Sequence, residues 1–167
     1  MLRIALDIAD DRWSETGLDW EALSTRICAA ALALTPFADW STRTTVLEVS
    51  IQLTSDAEVQ LLNRDFRGKD SPTNVLSFPM IEAQDLHDGV EVPEQLLGDV
   101  VLAYETVTVE ASAQGKTLRD HSVHLIGHGF LHLLGYDHET STADAEAMEG
   151  LERRALAELN VADPYGE

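Results

Sequence analysis

HGFLHLLGYDH, residues 128–138, sets three histidines in an H-x3-H-x5-H pattern within one short run. On an α-helix, positions four apart are offset by only about 40°. His128 and His132 therefore stand one above the other on a single face. Such a pair brings two imidazoles to one metal ion at about 2.0–2.1 Å without bending the helix. Gly135 follows, a residue free to take positive φ, so the chain can reverse and carry His138 back beside the pair. Three neutral nitrogen ligands with an open fourth position match a catalytic rather than a structural zinc site. A lone H-x3-H arises by chance; the glycine and third histidine at this offset make the run a metal motif.

The motif departs from one known use of its spacing. Zinc proteases of the H-E-x-x-H type carry a glutamate directly after the first histidine, as the base that activates water. Here that position is Gly129. Without that carboxylate the helix supplies no base, and peptide hydrolysis loses its proton carrier. A zinc ion can still lower the pKa of a water to about 7 or polarise a phosphoryl oxygen. Asp137, beside the third ligand, is expected to orient a ligand histidine; Asp99 can do that or act as a base. His124, one turn before His128, is either an orienting or packed histidine or a proton shuttle. His121 reads as a solvated helix residue, and His87 falls in an acidic segment with no partner visible in the sequence.

Around this run the chain reads as one α+β domain covering residues 1–167, a small mixed sheet packed with about five helices. Residues 2–7 and TTVLEVSIQL (44–53) alternate as strands, with Val46, Glu48, Ser50 and Gln52 outward. Residues 20–34 read as a helix, with Leu18, Leu23, Ile27 and Leu34 near one face. Ser55 is placed to cap a helix running to Phe66, with Val59, Leu61 and Leu62 inward. RGKDSPTN (67–74) is a loop by composition and VLSFPM (75–80) a short strand. The acidic segment IEAQDLHDGVEVPEQ (81–95) reads as a mobile surface loop. GDVVLAYE (98–105) is a further strand. Helices are expected at 106–114, ended by Gly115, at 118–134, where the motif lies, and at 142–159. Gly127 is an unusually flexible residue within the motif helix.

Composition bounds the chemistry. At 44% hydrophobic and 25% charged, this is the make-up of an ordinary globular protein. The longest apolar run, ICAAALAL (27–34), is far short of the ~20 residues of a membrane span. The first residues hold no signal-peptide core, and Cys28 is the only cysteine. A reducing, cytoplasmic setting is the expectation, with Cys28 a small buried residue. The net charge of −19 argues against broad attraction to nucleic acid, which phosphate neutralisation drives. Any nucleic-acid reading needs a local basic patch or a partner protein. The one positive cluster outside the termini is NRDFRGKD (63–70), with Arg64, Arg67 and Lys69. Arginine's planar fork suits a phosphate bidentately, although loop cations are as readily just solvated.

HGFLHLLGYDH, LNRDFRGKDSPTNVLSFP (62–79) and LLGDVVLA (96–103), in that relation, strongly resemble the YbeY family of bacterial rRNA maturation factors and endoribonucleases. The likeness spans residues 61–138 and extends more weakly to DPY at 163–165. The resemblance implies a single α+β domain with helices around a small mixed sheet. It implies one Zn2+ held by His128, His132 and His138, and an important arginine at Arg67. It implies 3′-end maturation of small-subunit rRNA and ribosome quality control. A small-subunit ribosomal protein and an Era-type GTPase are the partners it suggests. Two other functions fit the residues: a metallohydrolase of another substrate class, and a non-catalytic ribosome assembly factor whose metal only folds the helix end.

Overall fold

The computed structural model describes residues 1–166. Its elements run β1 (Leu2–Ile8), α1 (Asp11–Ser14), α2 (Trp20–Ala33), a 3-10 turn (Ala38–Ser41), β2 (Val46–Thr54), α3 (Asp56–Arg67), β3 (Val75–Pro79), α4 (Ala83–Asp88), β4 (Glu94–Ala103), α5 (Tyr104–Ala113), α6 (Leu118–Leu133) and α7 (Thr142–Ala157). The four strands form one mixed sheet in the order β1-β2-β4-β3. β1, β2 and β4 are parallel, and β3 runs antiparallel to β4. The α+β expectation is borne out. Two helices exceed the expected five: the single turn α1, and α4.

Strand alternation sorts the sheet into two faces. Leu47, Val49, Ile51 and Leu53 of β2, with Val100 and Leu102 of β4, are fully buried in the main core beneath α2 and α6. On the opposite face Val101 and Ala103 pack with Val59 of α3 and Leu76 of β3 in a smaller cluster. Ser55 caps α3 as expected, its hydroxyl accepting from the Glu58 amide. Leu61 does not point inward; it is 42% exposed, because the inner stripe of α3 is set by Val59, Leu62 and Asn63.

Residues 81–95 are not a plain loop. The segment folds as α4, and Leu86 on it is fully buried, with the Trp40 indole donating to the Leu86 carbonyl at 3.2 Å. Leu86 anchors it, with Ile81, Ala83 and Val90 partly buried against the core, a spacing that makes no regular period in an acidic stretch. Gly127 serves close packing rather than flexibility: a Cβ there would stand 3.0 Å from Ile27 Cγ1 on α2.

Candidate metal centre

Thr117 opens α6 by accepting the Asp120 amide, and the apolar positions of the helix bury it against α2 and the sheet. The histidines lie on the side left over. At its C-terminal end Gly135 takes φ +99°, and the Tyr136 amide donates back to the Leu131 carbonyl at 3.1 Å. This reversal brings His138 back, so ligand atoms of His128, His132 and His138 lie within 4.8 Å of one another. No fourth group joins the three among the described residues.

Hydrogen bonds fix which nitrogen of each helical imidazole faces the cluster. His128 Nδ1 donates to Glu152 Oε1, and His132 Nδ1 donates to the Tyr136 carbonyl at 2.8 Å. Both Nε2 atoms are thereby left as lone-pair carriers, 3.0 Å apart. Two lone pairs face each other at that distance only across a shared proton or cation. Ligand nitrogens at about 2.0–2.1 Å on one tetrahedral ion stand about 3.3 Å apart, so the donor set fits a divalent metal. Burial, and then the neighbouring His128, hold the His132 imidazole below its ordinary 6.5, in the neutral form that binds metal.

Glu152 had no place in the sequence reading. It sits on α7, 2% exposed, on the inward stripe with Met148, Ala155 and Leu156. A charged residue in phase with that stripe was the available signal. Burial alone would raise its carboxyl. The imidazoles of His124 and His128 and the Tyr165 hydroxyl outweigh burial and hold it at about 2. A carboxylate behind a ligand histidine fixes the tautomer and ring of that ligand.

The remaining polar residues divide around this centre. His124 stays outside the three: its Nε2 lies 3.2 Å from the Tyr165 hydroxyl and 3.7 Å from Glu152 Oε1. That placement favours the orienting role over the shuttle. Asp137 does not orient a ligand; its Oδ1 accepts the Glu139 amide at 2.8 Å, a local turn bond. Asp99 lies with Asp7, Ser50 and Gln52 on the far face of the sheet, because strand alternation sets it opposite Val100. His121 is not solvated: it is 3% exposed with Nε2 3.0 Å from Glu110 Oε1, and burial lowers its pKa. Glu110 also accepts Asn74 Nδ2 at 3.0 Å, so this histidine braces the end of the 67–74 loop. His87 packs against Phe37, ring centroids 4.5 Å apart and planes inclined by 37°. Cys28 is buried as expected.

Arg67 ends α3, where Gly68 at φ +70° turns the chain. The Asn63 amide donating to the Ser71 carbonyl at 2.8 Å and Lys69 N–H to the Asn63 carbonyl at 3.1 Å stiffen the loop. Arg67, Asn74, Ser77 and the three histidines line one cleft of about 470 Å³. Arg64 is paired with Asp65, whereas Arg67 has no carboxylate partner among the described residues. Gly129 also lies on the cleft, and a Cβ there would meet Val100 Cγ1 at 2.8 Å. The position that carries a base in the proteases is here the point where α6 rests on β4.

Fold and site together define a small α+β protein built around a three-histidine metal-type centre on one helix and its return loop. The chain belongs to the endoribonuclease YbeY family, whose model matches residues 9–160. A protein of Sphingopyxis alaskensis with that name is 51% identical over 153 residues, 90% of each chain. Another, from Paramagnetospirillum magneticum, is 51% identical over 166 residues, 99% of this chain and 97% of its own. The solution structure of TM1509 from Thermotoga maritima shares the fold across all of both chains, with a TM-score of 0.56 at 24% identity. Among the described residues, no helix is long and apolar enough to cross a membrane.

Proposed function

We propose that the protein is a zinc-dependent endoribonuclease that cuts single-stranded RNA, acting in 3′-end maturation of small-subunit rRNA and in ribosome quality control. The observation that carries the reading is the single cleft lined by Arg67 and by three convergent imidazoles. His128, His132 and His138 would hold the ion. Such an ion supplies Lewis acidity toward a phosphodiester and toward water. Arg67 grips the phosphoryl group by its guanidinium fork and orients the scissile bond. Glu152 keeps His128 in the ligand tautomer, and His124 stands beside the same carboxylate oxygen, 3.7 Å from Oε1. Peptide hydrolysis is disfavoured, since the cleft offers no carboxylate at Gly129.

The net charge of −19 bears on delivery. Arg67 and Lys69 are a small local patch on an acidic protein, too little for tight unaided RNA binding. A basic small-subunit ribosomal protein, and an Era-type GTPase, are the partners the family reading suggests, in the cytoplasm. The test compares wild type and His128→Ala, purified side by side free of contaminating nuclease, on a defined rRNA fragment. The variant is expected to lose bound metal and cleavage together. A folded, metal-free variant that still cleaves at the wild-type rate would remove the catalytic metal.

A further inference from the structure

Asp163, Pro164 and Tyr165, near the end of the described residues, fold back onto α7 and the outer side of the histidine cluster. Asp163 takes an ion pair from Arg153 Nε at 2.9 Å and accepts the Tyr165 amide at 2.8 Å. The Arg153 guanidinium also lies over the Tyr165 ring, 5.7 Å from its centroid. His124 meets the same ring edge-on at 5.5 Å. These contacts turn the phenol inward, where its hydroxyl donates to Glu152 Oε2 at 2.6 Å. The hydroxyl oxygen in turn faces His124 Nε2 at 3.2 Å.

Why would Glu152 need this partner? Its side chain is only 1% exposed, so water does not orient it. The terminal torsion of a glutamate is broad, with no sharp rotamer to hold the carboxylate plane. Partners must set that plane. His128 Nδ1 occupies Oε1, and the Tyr165 hydroxyl is the donor on Oε2. With both oxygens engaged from opposite sides, Oε1 is aimed at His128 and the imidazole is locked with Nε2 toward the cluster.

We propose that Tyr165 is a positioning residue for the metal centre: the folded-back tail sets Glu152, and through it His128, in the ligand orientation. Tyr165 touches Glu152 and His124, and of these the carboxylate is the one hydrogen-bonded to a ligand histidine, so its effect on His128 passes through Glu152. This inference rests on the metal reading given above. It gives the C-terminal segment a task that its distance from the motif conceals.

The test is zinc affinity of the full-length chain, by competition with a chromophoric chelator, for wild type and Tyr165→Phe. Phenylalanine keeps the ring against Arg153 and His124 and removes only the hydroxyl. Outer partners of ligand histidines change metal affinity by roughly 10–100-fold. One step further out, Tyr165→Phe is expected to weaken zinc about 3–10-fold and to perturb the visible spectrum of the cobalt(II) form. Its metal-free melting temperature should fall by no more than about 4 °C, the scale of one lost hydrogen bond. On a Glu152→Gln background the same substitution should have almost no further effect. Unchanged zinc affinity and cobalt spectrum in Tyr165→Phe, or a full loss that persists on the Glu152→Gln background, would overturn the inference alone. Wild type that takes up neither zinc nor cobalt would overturn the metal reading with it.

Discussion

Replacing Glu152 by glutamine tests the centre most directly, because it keeps shape and removes charge. The carboxylate accepts two hydrogen bonds, from His128 Nδ1 and from the Tyr165 hydroxyl. An amide offers one acceptor and one donor group, so one of the two partners meets a donor. If the amide NH2 faces His128, the imidazole must move its proton to Nε2 and ceases to be a ligand in that form. Loss of such a partner costs roughly 10–100-fold in metal affinity, or about 1.4–2.7 kcal/mol. Zinc competition read against wild type measures it. A second readout is acid stability of the metal-free protein. Glu152 is held at about 2 in the fold against its ordinary 4.5. Its stabilisation is therefore complete above pH 4.5 and disappears as pH falls through about 2, a contribution on the order of 3 kcal/mol. Glu152→Gln should flatten that part of the wild-type pH profile in denaturant unfolding. A variant with wild-type zinc affinity and an unchanged acid limb would refute the role of the carboxylate.

Arg67→Ala is expected to lower kcat/KM for RNA about 10–100-fold, the worth of a charge-assisted phosphate contact; bound zinc and melting temperature should hold, and unchanged kinetics would remove its role. Gly129→Ala should destabilise by about 1 kcal/mol, since overpacking against Val100 outweighs the helix propensity gained. Thermal unfolding gives the sign, and a more stable variant would show that α6 is free to lift from the sheet. Binding of single-stranded RNA should show a shallow salt dependence, a log–log slope no steeper than about −2, because among the described residues Arg67 and Lys116 are the only lysine or arginine side chains lining the clefts at the histidines. A slope near −5 by fluorescence anisotropy would require a basic surface elsewhere.

Much of the architecture was legible because it is local. Alternation in 44–53 gave β2 its buried and exposed faces, a serine at 55 capped α3, and four-residue spacing put His128 and His132 on one stripe. Gly135 signalled the reversal that returns His138, since only a residue tolerant of positive φ turns the chain there. The structure departs from that local pattern in 81–95, where Leu86 is the one fully buried residue of an acidic stretch, and on α3, where Asn63 is buried and Leu61 is turned outward.

What the sequence alone determined is thus the three-histidine set, its open side and the missing base, all written within eleven consecutive residues. Only the tertiary structure decided which groups stand behind and beside them. Glu152 lies 24 residues from His128, and Tyr165 a further 13 along the chain. Asp99 is removed to the far side by the pleat of β4, and His121 is drawn inside by Glu110. Helical and strand periods act over a few residues and can be read from spacing. Pairing between buried polar groups depends on how α5, α6, α7 and the tail pack, and no local pattern encodes that meeting.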